Sequence, residues 1–420
     1  MKKSTVCFYS FAAAFGALVV GLNMGGMSGA IGIIEKEFGL TAMSKGFVTS
    51  SLMAGCLFGA LFGGRMSDRY GRRPMLLASA VFLALSAAGS AFWSASWIPL
   101  SVFRLIGGFG AGILSAVIPV YITEISPASL RGTLVSLYQL FVVVGILVAY
   151  CANYWFSGLP DNWHFMLGIP LAFIIVEVCL LLPLPESPRW VAQKTGAVSS
   201  DERKENKLPV SELFKGRTRR VVFMGVMLAF FQQITGINVV VNYAPDILSR
   251  AGIAGSDPLL QTVFVGAANL LFTVVAIWLV DKAGRKTLLI SGSFGCALSL
   301  AYLSYAYSAE SSDSIGILIA ILAYIGFFAL SLSPLMFVVT SEIYPSRIRG
   351  TATALSTGIS WLCAFAVVQF YPLMEKTLGT AVSFGIFCGL CLAAGIYIWI
   401  FIPETKGKDL EQIELELKLR

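Results

Sequence analysis

The chain has 420 residues, 57% of them hydrophobic and only 13% charged, with a mean hydropathy of +0.79. A soluble domain carries about a quarter charged residues, so lipid must cover this much apolar surface and a water-soluble fold is excluded. The net charge of +7 does not indicate nucleic acid, because the basic residues sit in short loops between apolar runs, where they set orientation.

A membrane span needs about 20 apolar residues. Twelve windows meet this in chain order: 8–33, 46–66, 75–94, 98–121, 131–155, 164–184, 220–243, 259–280, 287–308, 315–339, 350–373 and 380–402. The start, Met1-Lys2-Lys3 before an apolar run, resembles a signal peptide. The run is too long for one and lacks a clear cleavage site, so it reads as the first span. With a cytoplasmic N-terminus, only Lys36, Lys45, Arg250 and Lys376 of the 30 Lys and Arg fall in external loops, and Arg104 falls within a span. This asymmetry places both termini inside a plasma (inner) membrane crossed many times. The 8 Cys lie mostly inside apolar runs without metal-like spacing and read as small hydrophobes. With His164 as the single His, no metal site is expected.

The longest polar stretch, Gln193 to Arg220, falls between the sixth and seventh spans. The expected organisation is an N-terminal six-helix bundle (1–190), a cytoplasmic linker (191–219), a C-terminal six-helix bundle (220–404) and a cytoplasmic tail (405–420). The halves echo each other. Asp68-Arg69-Tyr-Gly71-Arg72-Arg73 follows the second span, and Asp281-Lys282-Ala-Gly284-Arg285-Lys286 the eighth. Likewise Glu124-Ile-Ser-Pro127 with Arg131-Gly132-Thr133 matches Glu342-Ile-Tyr-Pro345 with Arg349-Gly350-Thr351. Two motif pairs in order, at nearly one offset, mark a parallel internal repeat, as in transporters whose halves rock about a midplane site. A tight turn between two helices needs Gly71. The loop also satisfies plain positive-inside topology, but its repetition points to a cytoplasmic gate. Asp68, Arg72, Glu124, Arg131, Glu186, Arg189, Asp281, Arg285, Glu342 and Arg349 are the residues expected to form that charge network and hold the side closed.

At these residues the chain resembles the sugar porter family of the major facilitator superfamily. The resemblance rests on Gly64–Arg73, Pro185-Glu186-Ser187-Pro188-Arg189-Trp190, Gln232-Gln233-Ile-Thr-Gly236-Ile-Asn238 and Pro403-Glu404-Thr405-Lys406-Gly407, spread over nearly the whole chain. It implies an all-α membrane protein of twelve transmembrane helices in two pseudo-symmetric six-helix bundles. Ile277 stands where the second loop would carry its leading Gly, and the linker is short for the family.

Amides in mid-span are either helix-packing glue or the lining of a wet pathway. Gln139, Gln232, Gln233, Asn238, Asn242 and Asn269 are such residues. Gln232, Asn238 and Asn242 of the seventh span are out of register with one helical stripe, and Ile234-Thr-Gly236-Ile237 between them could be an unwound turn that re-aims them. Amides donate and accept, as sugar hydroxyls do, and the core lacks the arginine clamps of an anion site apart from Arg104. The resemblance implies that Gln139, Gln232, Gln233, Asn238 and Asn269 bind the sugar and that Trp361 packs on its ring. Three spans depart from the glucose-binding pattern: the tenth has Ser333 and Phe337 where relatives have Gly and Trp, the seventh Asn242 beside Tyr243 where Tyr is common, and the eleventh Ser360 where an amide is common.

Proton-coupled relatives carry an Asp in the first span, paired with an Arg in the fourth. Here the pair is Asn23 and Arg104, and Asn cannot titrate, so the expected function is a facilitative monosaccharide uniporter, a hexose carrier by preference. The alternatives are a proton-coupled sugar symporter using a displaced carboxylate, with Glu177 as a partner for Arg104 or a proton site, and more remotely a sugar sensor or an exporter. Nothing resembles an enzyme's active site: no catalytic residues, no cofactor and no phosphate loop are expected. The expected partners are the sugar and the lipid bilayer, with no nucleic acid and a monomer as the working unit.

Overall fold

The computed structural model describes residues 3–127, 130–195, 218–251, 257–309, 314–345, 348–408 and 412. Most of the expected linker and tail lie outside these. Among the described residues, twelve helical stretches are long and apolar enough to cross a membrane. They are α1 (Lys3–Phe38), α2 (Ala42–Tyr70), α3 (Arg72–Phe92), α4 (Trp97–Ile125), α5 (Arg131–Phe156), α6 (Asn162–Leu181), α7 (Thr218–Arg250), α8 (Pro258–Val280), α9 (Arg285–Ser308), α10 (Ser314–Ile343), α11 (Arg349–Leu378) and α12 (Thr380–Phe401). Each window read from the sequence falls on one of them. The protein is an all-α, multi-pass membrane protein.

The helix pairings repeat. α1 packs on α5, α2 on α4, α3 on α4 and on α6; six helices later, α7 packs on α11, α8 on α10, α9 on α10 and on α12. Two long contacts join the sets, α2 with α11 and α5 with α8, and the same six-helix shift exchanges one for the other. Lipid tails provide no hydrophobic drive between helices, so close packing must come from small residues. The α2–α4 seam is built this way: Gly55 and Gly59 face Gly108 and Gly112, and a Cβ on any of the four would collide with a backbone carbonyl across the seam.

Two helices break at mid-span. α7 consists of Thr218–Ile234 and Ile237–Arg250, interrupted at Gly236, whose φ of +96° lies in the left-handed region. The unwound turn expected at Ile-Thr-Gly-Ile is therefore present. α10 consists of Ser314–Leu330 and Leu332–Ile343. There Pro334 has no N–H for the carbonyl four residues before it.

Two ends of the bundle can be told apart. The motif end carries the Gly71 and Gly284 turns, with φ of +111° and +90°. The far end carries the α1–α2 turn and the last residues of α7 and α11. Lys45, expected in a loop, is inside α2 at the far end and is buried, because it is neutralised there by two carboxylates.

Candidate substrate site

The breaks in α7 and α10 gather the amides. Gln232 joins the two breaks: just before the one in α7, its Nε2 donates to the Leu332 carbonyl (3.2 Å) and the Ser333 carbonyl (3.3 Å), just after the one in α10. Gln233 Nε2 donates to Ser360 Oγ (2.8 Å) and Gln232 Oε1 (3.4 Å), and Gln233 Oε1 accepts from Asn238 Nδ2 (2.5 Å). Asn242 Nδ2 donates to the Asn238 carbonyl (2.8 Å), while its Oδ1 is buried without a partner. From α5, Gln139 Nε2 reaches Ser333 Oγ (3.1 Å). α5, α7, α10 and α11 thus meet in one polar cluster. The turn at Gly236 lets Gln233 and Asn238, five residues apart, face each other.

Other expected site residues lie around this cluster without bonding to it. Asn269 on α8 is half-buried and makes no hydrogen bond among the described residues. Trp361, next to Ser360, packs against the core half-buried. Phe337, on the second piece of α10, is 42% exposed. Ser333 was visible in the sequence only as a departure; the structure makes it the meeting point of α5 and α10.

Asn23 and Arg104, at the positions of the Asp–Arg pair of proton-coupled relatives, do not bond to each other. Asn23 Nδ2 donates to the Val19 carbonyl one turn back (2.9 Å). Arg104 is 2% exposed and directs its guanidinium at the Val48 (3.1 Å) and Thr49 (3.4 Å) carbonyls of α2. Glu177 does not answer Arg104 either. It is fully buried against Gly16 of α1, and neither carboxylate oxygen has a hydrogen-bond partner.

At the motif end the charge network exists, but as two clusters. In the first, Arg72 grips Glu124 through Nε and Nη2 (both 3.0 Å) and Asp68 through Nη1 (2.9 Å). Glu186 accepts the backbone N–H of Arg72 (2.9 Å) at the start of α3 and that of Ser187 (2.8 Å), and Ser187 Oγ donates to Glu124 (2.5 Å). In the second, Arg285 meets Glu342 (3.3 Å), Glu404 accepts the N–H of Arg285 (2.9 Å) and Lys286 (3.1 Å), and Thr405 Oγ1 donates to Glu342 (2.5 Å). Burial alone would raise the Glu404 carboxyl, but the N–H groups of Lys406, Arg285, Lys286 and Thr405 hold it below its ordinary value. A carboxylate at a helix N-terminus is favoured in the same way at both turns.

In this conformation the described pairs do not join the two sets in one network. Each described ion pair at this end stays within α1–α6 and the short helix after it, or within α7–α12 and the segment after it. Arg131 and Arg189 are exposed and form no ion pair among the described residues, and Arg349 donates to the Tyr344 carbonyl (3.2 Å). The Asp281 side chain lies outside the described atoms. What the sequence missed is that Glu404-Thr405 is the repeat partner of Glu186-Ser187, a third motif pair visible in the strings Pro185-Glu186-Ser187 and Pro403-Glu404-Thr405.

Apart from Gln139 to Ser333 in the polar cluster, the described bonds that cross between the two sets lie at the far end. Lys45 Nζ of α2 bridges Glu35 (2.7 Å) and Asp246 of α7 (2.6 Å). Gln369 of α11 accepts from Ser50 Oγ (2.9 Å) and donates to the Met43 carbonyl (3.1 Å). Tyr150 OH of α5 donates to the Val241 carbonyl (2.8 Å).

A paired-repeat bundle with a polar cluster at the broken helices of its interior is the architecture of a solute transporter. The sugar (and other) transporter family model matches residues 9–202 and 196–417. The chain is 34% identical to an arabinose-proton symporter of Bacillus subtilis (strain 168), covering 97% of this chain and 94% of that protein. It is 33% identical to the D-xylose-proton symporter of Escherichia coli (strain K12), covering 98% and 96%. The partially occluded inward open conformation of the xylose transporter XylE from E. coli superposes with a TM-score of 0.84 at 32% identity, over 97% of this chain and 100% of that one. The chain belongs to the sugar porter family of the major facilitator superfamily. It is a sugar transporter and not an enzyme.

Proposed function

We propose that this protein is a proton-coupled symporter of a monosaccharide in a plasma membrane, working by alternating access between bundles 1–190 and 220–404 with both termini cytoplasmic. The observation that carries the sugar reading is the uncharged cluster of Gln139, Gln232, Gln233, Asn238, Ser333 and Ser360, drawn from four helices. Its amides present donors and acceptors without formal charge, matching sugar hydroxyls. Trp361 beside it offers an apolar face for the C–H side of the ring. Asn269, Asn242 and Phe337 complete the proposed lining. The motif end carries most of the Lys and Arg, which supports its being cytoplasmic.

The sequence alone favoured uniport, because Asn23 cannot titrate. The symport reading is better supported: the relatives at 33% and 34% identity are named as proton symporters of xylose and arabinose. Those names also favour a pentose over the expected hexose.

The test is uptake of labelled D-xylose, L-arabinose and D-glucose by the purified protein in liposomes, with and without an inward proton gradient. Gradient-driven accumulation that a protonophore collapses is expected. Counterflow of sugar that ignores the gradient would return the protein to uniport.

A further inference from the structure

We propose that Glu177 carries the coupled proton. The inference rests on the symport reading above and adds the group that does the coupling. Coupling needs a group that takes up a proton in one conformation and gives it up in another. Asn23 cannot, and Arg104 is engaged with carbonyls. The other acidic side chains described in the spans lie near helix ends and have partners. Glu35 and Asp246 share Lys45, Glu37 accepts from Trp163, Asp68 and Glu124 meet Arg72, Glu342 meets Arg285, and Glu375 meets Arg250. Glu177 alone among them is fully buried with both oxygens unpartnered.

An ionised carboxylate without water, cation or N–H is strongly disfavoured, and the neutral acid is the form this pocket accepts. Releasing the proton therefore requires the pocket to open to water. The chemistry is a single equilibrium: the carboxylate takes a proton from water on one side, and the acid returns it to water on the other. The ionisable groups on the packed helices leave Glu177 isolated. α3 has none between Arg73 and Phe92. α4 offers Arg104, Tyr121, whose hydroxyl donates to the Pro185 carbonyl, and Glu124, held by Arg72. α1 offers Lys3, Cys7, Tyr9, Glu35, Lys36 and Glu37, all a turn or more from Gly16; α5, which packs on the first part of α6, offers Arg131, Tyr138, Tyr150, Cys151 and Tyr154; and α6 itself has His164 and Cys179.

The cover of this pocket is also connected to the sugar cluster. A Cβ at Gly16 would stand 2.6 Å from Glu177 Oε1, so α1 lies directly on the carboxyl. The same helix packs against Ile237–Arg250, the piece of α7 that carries Asn238 and Asn242. A shift of that piece on sugar binding displaces α1, and with it the lid on Glu177.

The experiment uses the full chain in liposomes with labelled D-xylose. Glu177→Gln should lose gradient-driven accumulation at least tenfold, while counterflow, which needs no net proton movement, stays above that of protein-free vesicles. Glu177→Asp should restore gradient dependence with a displaced pH profile. A second readout needs no variant: labelling of the wild-type carboxyl by a hydrophobic carbodiimide, read by peptide mass, should fall as pH rises and change when D-xylose is added. Glu177→Gln that still concentrates sugar with the wild-type pH profile, or labelling indifferent to sugar, would overturn the assignment. Wild-type uptake indifferent to the gradient would overturn symport itself, and Glu177 with it.

Discussion

Gln233 occupies a position that no other side chain in the site shares. It donates to Ser360 on α11 and to Gln232, and accepts from Asn238 across the break in α7. Removing it leaves Asn238 Nδ2 without that acceptor and removes one of the amides proposed to meet sugar hydroxyls. Losing one such set of hydrogen bonds is worth about 1–2 kcal/mol, or roughly a tenfold change in affinity. Gln233→Ala should therefore weaken D-xylose binding about tenfold in isothermal titration, with Gln193→Ala, on the short helix after α6, as an unaffected comparison. Equal affinities for wild type and Gln233→Ala would remove this residue from the site. Most of this cluster was legible from residue type alone, because a mid-membrane amide needs a partner. Its partners were not: Ser333 and the carbonyls just after the break in α10 become visible only when the backbone path is known. Nor could spacing show that Arg104 rests on α2 carbonyls, since those lie over fifty residues away in the chain.

At the scale of the element, the spans were legible because their signal is local: an apolar run long enough to cross a bilayer. The break in α7 was also legible, since Gly236 is the residue that a left-handed turn demands. The break in α10 has a weaker signature, one Pro among serines. How the helices pack was harder to read, although the spacing Gly55-Gly59 and Gly108-Gly112 carries it. These four glycines put α2 and α4 in backbone contact, which allows the Arg104 guanidinium to reach Val48 and Thr49. Gly108→Val should force the seam apart, lower the melting temperature in detergent by several degrees and cut the yield of folded protein. Gly132→Val, where a side chain meets open space, should leave melting unchanged. Melting of Gly108→Val like the wild type would mean that the seam tolerates separation.

At the scale of the whole molecule, the conformation is decided by bonds that join the two six-helix sets. The charges repeated in the sequence suggested a latch at the motif end; in this conformation the ion pairs described there are each confined to one set. They fix the turns within each set, so that each set can move as a unit. The latch is at the far end, where Lys45, its side chain 9% exposed, is held between Glu35 and Asp246. Close by, Gly46 lies so near the Gln369 carbonyl that a Cβ would collide with it. Such a closure is a two-state element, and alternating access requires that it open. Lys45→Met leaves two carboxylates facing each other; their side chains are 39% and 26% exposed, so water screens part of the repulsion and the cost is about 1–2 kcal/mol. In the open state water reaches both acids and most of that penalty disappears. The variant should therefore favour the conformation open at the far end, since about 1.4 kcal/mol already shifts a two-state population tenfold. Spin labels at Leu40 and Ser249, on opposite sides of the closure, should show a longer distance distribution in Lys45→Met than in wild type by pulsed electron resonance. Uptake should slow, because the return to the closed far end becomes the difficult step. An unchanged distribution would mean that Gln369 and the packing around Gly46 hold the far end without the ion pair.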